Sequence, residues 1–246
     1  MAGFDKKHCH VCGKKVGFLS REDIEDGVIC DDCAEQLSPL GPEPEMMNVS
    51  EVKRQLDYRE KNKERVRSFQ PTFKYDLKVQ RMRVLIDEND ETFMVTDCAD
   101  NEMRTVYPDV IDLADITECQ FTYNTDDDYS YFGDDSPYIY EYDFYLEIHL
   151  DHPYINEIKL RLNDDSEFIH HPILEKFNPV NYPQCERYMD TAEELMDALL
   201  GEDRKDDLYT DESGNSFKLV KCPWCDSKCA MTRDGRCPNC GGNLDA

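Results

Sequence analysis

The chain has 246 residues, with 28 Lys and Arg against 54 Asp and Glu and a formal net charge of -26. Charge of that sign opposes binding to a phosphate backbone or an anionic leaflet over most of the surface, and no apolar run reaches the roughly 18 residues of a spanning helix. Hydrophobic residues make up only 39% and Met1 to Ser20 lacks a signal-peptide core, so a cytoplasmic chain with a modest core and polar annexes is expected.

The N-terminal segment is set by cysteine. Cys9 and Cys12 form one CxxC pair and Cys30 and Cys33 a second, with 17 residues (Gly13 to Ile29) between them. Two residues between cysteines let both thiolates reach one ion from a tight knuckle, and two pairs complete a tetrahedron. Gly13 suits the left-handed turn of the first knuckle. Lys14 to Leu19 and Gly27 to Ile29 are expected to pair as a hairpin, and Asp31 and Asp32 favour a helix start at the second pair. Knuckle, hairpin and helix in that order predict a treble-clef-type zinc finger over residues 1–40. His8 and His10 adjoin the site without being needed as ligands.

Residues 41–70 follow as a Pro-rich linker, from Pro39 to Pro44, and a helix from Val49 to Phe69. No capping box is evident at Ser50, and the apolar stripe (Val52, Leu56, Val66, Phe69) is thin. From Glu51 to Arg67 seven Lys or Arg stand against four acids, which suits a helix leaning on the acidic remainder of the chain.

Residues 71–203 read as β-rich. Met82, Val84 and Ile86 alternate with Arg81, Arg83 and Leu85. Cys119, Phe121 and Tyr123 alternate with polar neighbours, and Tyr140 to Leu150 is the longest such run; Ile158 to Leu162 and a shorter strand at Phe168 follow. Alternation of this kind predicts one buried and one wet face. The acidic stretch Asp126 to Pro137 reads as a solvated loop, since Gly133 is displaced from the calcium-loop position and the closing glutamate is missing. Thr191 to Glu194 reads as a capping box. It opens a helix whose apolar face is Ala192, Leu195, Met196, Leu199 and Leu200, ended by Gly201. The order predicts a small barrel closed by a C-terminal helix, or an open sheet with the helix across it.

Glu202 to Asp207 is a charged spacer. Residues 215–246 then bring the pairs Cys222/Cys225 and Cys237/Cys240, with 11 residues (Asp226 to Arg236) between them and no following helix, which predicts a zinc ribbon. Cys229 is a fifth cysteine there and could displace a ligand; the symmetric four are preferred. Cys98, Cys119 and Cys185 lack partners at metal spacing and read as buried thiols. In a reducing compartment paired CxxC spacing points to metal rather than disulfides. Two structural zinc ions are therefore expected, one on Cys9, Cys12, Cys30 and Cys33 and one on Cys222, Cys225, Cys237 and Cys240. Four thiolates leave no open position for catalysis.

The run CHVCGKKVGFLSREDIEDGVICDDCAEQL resembles a bacterial zinc-finger domain of unknown function that shows CxxCGKK, DGxIC and a second CxxC. The middle is similar to the continuation found in such proteins, through Phe69-Gln70-Pro71-Thr72, Ile86-Asp87-Glu88, Asp115-Ile116 and a closing E-E-L helix. The fold this resemblance implies for the middle is a pleckstrin-homology-like domain, a bent seven-stranded barrel closed by a helix. The fold class expected is thus α+β and multidomain. The resemblance implies no chemistry. The loop Asp87 to Glu91 is acidic where phosphoinositide binding needs Lys and Arg.

No P-loop, G-x-G-x-x-G, H-E-x-x-H or G-x-S-x-G occurs, and an enzyme is not expected. His149, His152, His170 and His171 could meet near Asp151 and Cys185, but histidines at strand ends are more often exposed or capping. Lys218, Lys221, Lys228, Arg233 and Arg236 around Trp224 are the one place where nucleic acid could bind. By elimination the chain is expected to be a non-enzymatic zinc-binding adaptor or scaffold with protein partners and no membrane, its oligomeric state open.

Overall fold

The computed structural model describes residues 7–17, 19–126, 138–171, 185–201, 208–210, 216–225, 227–230 and 235–244. In chain order the elements are β1 (Lys7–His8), β2 (Lys15–Val16), β3 (Arg21–Ile24), β4 (Gly27–Cys30), α1 (Asp31–Ala34), α2 (Val49–Ser68), β5 (Phe73–Asp76), β6 (Arg83–Asp87), β7 (Thr92–Thr96), α3 (Met103–Val106), β8 (Ile111–Asp112), β9 (Ile116–Asp126), β10 (Tyr138–Leu150), β11 (Glu157–Arg161), β12 (Glu167–His171), α4 (Glu186–Leu200), β13 (Leu208–Thr210), β14 (Ser216–Lys221) and β15 (Lys228–Ala230). Two compact units result. One comprises Met1–Phe73, Leu85–Asp115 and Leu150–Ile158; the other comprises Lys74–Val84, Ile116–His149 and Lys159–Ala246. The acidic loop from 127 to 137 and the spacer from 202 to 207 lie outside the described residues.

In the first unit the finger packs onto α2. The helix starts on Asn48, whose side chain accepts from the backbone N–H of Ser50 and Glu51 while Glu51 accepts from the N–H of Asn48. A capping box is therefore present, but on Asn48 rather than Ser50, and it satisfies donors that would otherwise be orphaned at the helix end. The Val49 N–H donates to Asp26 in the β3–β4 turn at 2.8 Å. Val52 joins a buried cluster with Val16, Ile24, Val28, Ile29, Leu37 and Met47.

The rest of the inner face of α2 is polar. Asn62 is buried, donates to Pro108 O at 2.7 Å and accepts from the Val110 N–H at 3.0 Å, so one amide satisfies the backbone on both sides of Asp109. Arg59 pairs with Asp109, and Arg65 with Asp112. Arg59 and Arg65 of α2 thus meet acids within their own unit, as side-chain hooks where the apolar stripe is thin.

β6 and β7 pair in an antiparallel sheet that β8 extends, with Phe93 opposite Ile111. The alternation expected here fails: Leu85 and Ile86 are both fully buried, as are Phe93 and Met94. The cause is a covering layer, because Leu85 and Met94 pack with Val66 of α2 and Val110. Asp87 turns the chain after β6, its carboxylate accepting from the backbone N–H of Gln70 and Asn89.

His152 is buried against Tyr58 and Tyr154, with ring centroids 5.0 and 4.6 Å away, and neither ring nitrogen has a hydrogen-bond partner among the described residues. Burial holds its pKa below the ordinary imidazole value, opposed by the carboxylates of Asp115 and Asp109. Unfolded histidine titrates near about pH 6.5. Above that pH the contribution to stability is whole. As pH falls through about 6.5 toward the depressed folded value, the unfolded chain takes up a proton that the folded one resists, and stability is lost. The urea midpoint of the wild type is expected to fall relative to that of His152→Phe between pH 7 and pH 5; parallel curves would refute the assignment.

In the second unit β10 pairs with β9, β11 and β12, and Tyr140 stands opposite Ile169 in antiparallel register. Here the alternation holds. Tyr142, Phe144, Leu146 and Ile148 are buried while Glu141, Asp143, Tyr145 and Glu147 are half-buried. Phe144 stacks on Phe121 and on Tyr188 of α4, at 5.8 and 5.0 Å. α4 begins at Glu186, five residues before the expected capping box, so Thr191 is interior and its hydroxyl donates back to Arg187 O at 3.0 Å. The buried face accordingly runs Tyr188, Met189, Ala192, Leu195 and Leu199, with Met196 and Leu200 only half-buried. Gly201 ends the helix with φ +69°. β13, β14 and β15 form a three-stranded antiparallel sheet. The fold class is mixed α+β with antiparallel sheets, and no sheet closes into a barrel among the described residues.

Candidate metal centres

In the finger the first knuckle is closed by backbone. Cys9 N–H donates to Lys14 O and Gly13 N–H to Cys9 O, each at 2.8 Å, and Gly13 takes φ +76°. β1 and β2 flank this turn, His8 opposite Lys15. The second pair is delivered by β4 and α1, Cys30 ending the strand and Cys33 lying in the helix. The partner of β4 is β3, with Asp23 opposite Val28. Lys15 and Val16 are therefore not its partner, contrary to the expected hairpin, because they pair across the knuckle instead.

Cys9 Sγ lies 3.9 Å from Cys33 Sγ and Cys12 Sγ 3.6 Å from Cys30 Sγ, and all four sulfurs lie within 4.8 Å of one another. Four bonds of about 2.3 Å to one tetrahedral ion place sulfurs about 3.8 Å apart, so the set fits such an ion. Cys9, Cys30 and Cys33 are buried and Cys12 is exposed. Burial pushes the Cys9 thiol up, but backbone N–H groups of Cys12, Cys30 and Val11 outweigh it and bring it down to about 6. Backbone donors aimed at sulfur favour the thiolate that a metal requires.

His10 clamps the two knuckles together. Its Nδ1 accepts from the Val28 N–H at 3.0 Å, and the His10 backbone N–H donates to Val28 O at 3.0 Å. The ring lies so close over Gly27 that a Cβ there would meet it at 2.7 Å. This explains the glycine of the DGxIC stretch: any side chain would push the ring, and with it the first knuckle, off the second.

The C-terminal site repeats the logic with different parts. Cys222 directly follows β14, and its N–H donates to Ser227 O at 2.9 Å; Cys237 N–H donates to Gly242 O at 2.8 Å. Cys222 Sγ is 3.6 Å from Cys240 Sγ, and Cys225 Sγ 3.7 Å from Cys237 Sγ. These four also fall within 4.8 Å of one another. Burial raises the Cys237 thiol, and backbone N–H groups of Cys240 and Asn239 more than offset that, to about 6. Trp224 does here what His10 does in the finger. Its ring covers Gly242, where a Cβ would meet it at 2.5 Å, and its Nε1 donates to Asn243 O at 3.0 Å. Sequence reasoning missed both ring-on-glycine contacts; a glycine one to three residues from a CxxC pair was the available signal.

Each predicted set of four cysteines is thus brought together and can hold one metal ion. Among the remaining candidates, Cys98 and Cys185 are buried and Cys119 is half-buried; burial pushes the Cys185 thiol up to about 12, which suits an inert core thiol. His152 is enclosed by tyrosines in the first unit and His149 lies on β10 in the second. The side chains of His170 and His171, and those of Lys218, Lys228 and Arg233 near the ribbon, lie outside the described residues. No helix among the described residues is long and apolar enough to cross a membrane. No curated protein and no solved structure matches the chain. Residues 7–55 match one family, Domain of unknown function (DUF4428), which covers the finger and the first turns of α2 and leaves the β-rich middle and the ribbon unmatched.

Proposed function

We propose that the chain is a non-enzymatic, cytoplasmic adaptor or scaffold in which two structural zinc ions shape small recognition modules at either end of a β-rich middle. The observation that carries this reading is the pair of four-sulfur sets at tetrahedral spacing. Thiolates are soft ligands suited to zinc, and four of them leave no open position for water or substrate. Each module also presents an apolar group to solvent: Leu19 is 94% exposed in the finger and Trp224 69% exposed in the ribbon. Such groups suit protein partners. For the middle, a long alternating strand with Tyr188 of α4 stacked on its Phe144 is in keeping with a pleckstrin-homology-like domain, and its acidic first hairpin loop turns that reading away from phosphoinositides. The test is affinity capture with the whole chain beside a Cys30→Ser/Cys33→Ser version. Partners that vanish with the finger support the adaptor role, and identical partner sets refute a binding role for it.

One observation favours a second reading for the ribbon. Lys221 and Arg236 are exposed, and Arg236 bridges to Asn243, whose carbonyl accepts from the Trp224 ring; an aromatic ring near cations suits stacking with single-stranded nucleic acid. A gel shift by the full chain that weakens with salt would move the ribbon to this class.

A further inference from the structure

The ribbon carries one more sulfur than a tetrahedral ion needs. Cys229 lies on β15, opposite Val220 of β14, and is fully buried. Its Sγ is 3.9 Å from that of Cys237, beside 3.7 Å for Cys225 to Cys237. Two sulfurs on one tetrahedral ion are about 3.8 Å apart. Cys229 therefore stands at the distance from Cys237 that a fellow ligand keeps. Cys222, Cys229 and Cys237 form one buried cluster with Leu244 packed against it, whereas Cys225 and Cys240 are exposed. The centre thus has three sheltered sulfurs and two exposed ones for four positions. The finger has no such surplus, because residues 7–37 contain four cysteines only.

We propose that Cys229 is a reserve ligand that replaces Cys225 on the ribbon zinc when the exposed Cys225 sulfur is lost, for instance to an alkylating electrophile. This deepens the zinc reading above and rests on it. Cys225 is the sulfur to be replaced because it and Cys229 flank the same neighbour, Cys237, and are joined by three residues leading into β15. One zinc–sulfur bond breaks and one forms, and the Cys229 thiol gives its proton to solvent. The charge on the centre is unchanged, and Cys222, Cys237 and Cys240 keep their places. A buried thiol is shielded from the reagent that removed its neighbour, so the ribbon keeps its fold after damage that would open a four-cysteine site.

The test counts metal on the full chain, with zinc for stoichiometry and cobalt(II) for the intensity of the sulfur-to-metal charge-transfer band. Cys225→Ala is expected to retain two ions per chain with a four-thiolate band at both sites. Cys229→Ala, and the nearly isosteric Cys229→Ser, are expected to retain two as well. Cys225→Ala combined with Cys229→Ser is expected to fall to one ion, that of the finger, with ribbon affinity lowered at least 100-fold. One ion in Cys225→Ala overturns the proposal, as does a double variant that still holds two. Loss of an ion in both Cys229 variants also overturns it, because Cys229 would then be a resident ligand. A wild-type chain holding fewer than two ions refutes the zinc reading itself, a result distinct from these.

Discussion

Replacing Cys30 and Cys33 by serine is expected to unfold the N-terminal module as a whole. Three of its four sulfurs are themselves core: Cys9, Cys30 and Cys33 pack with Val16, Val28, Ile29 and Leu37. A stretch of about 30 residues lies below the roughly 40 at which a metal-free core suffices. Zinc binding in small fingers supplies on the order of 10–16 kcal/mol, and that is folding free energy because no preformed site exists in the unfolded chain. The same cluster reaches Met47 and Val52, so the first turns of α2 lose their support with it. Hydrogen exchange checks this: amide protection across 7–37 and 47–55 should vanish while that of β10 persists. Retained protection at Val28, whose N–H is held by His10, would contradict the account.

Asp109→Ala is expected to destabilise the first unit by about 3–5 kcal/mol. The carboxylate is 1% exposed and accepts three bonds: from Arg59 Nη1 at 2.8 Å, from the Tyr154 hydroxyl at 2.6 Å and from the Ser38 hydroxyl at 2.5 Å. Arg59 also donates through Nε to Gln36 O at 2.7 Å. One buried anion therefore ties the end of the finger, the middle of α2 and two loops far apart in sequence. Alanine leaves the half-buried Arg59 guanidinium without its counter-charge, and two hydroxyls without their acceptor, so the cost exceeds that of three neutral bonds. Asp109→Asn keeps the shape and one acceptor oxygen, and should cost less. Urea unfolding of metal-loaded protein at pH 7.5, with an unchanged slope, would measure both. A loss under 1 kcal/mol for alanine would show that the hub contributes little.

The two four-sulfur sets were legible because a CxxC knuckle is local. Two residues and a turn-forming glycine fix each half-site, and only the pairing of halves is long-range. β10 was legible for a similar reason, since one of its faces meets water and composition reports that directly. β6 and β7 were not, because residues of α2 cover the face that would otherwise be wet, and no window of sequence contains both. α4 shows a local motif overruled: Thr191 and Glu194 have capping chemistry, yet burial of Tyr188 and Met189 carries the helix back past them. The polar hooks were the least legible. Gln55, Asn62 and Asp109 look like surface residues in the sequence, and each is buried with partners 17 to 71 residues away.

The central claim is that sulfur holds metal once in each terminal module. Elemental analysis of the purified, unstripped full chain tests it most directly, and two zinc ions per chain is the predicted result. A count below two, or a metal other than zinc in either site, would contradict it.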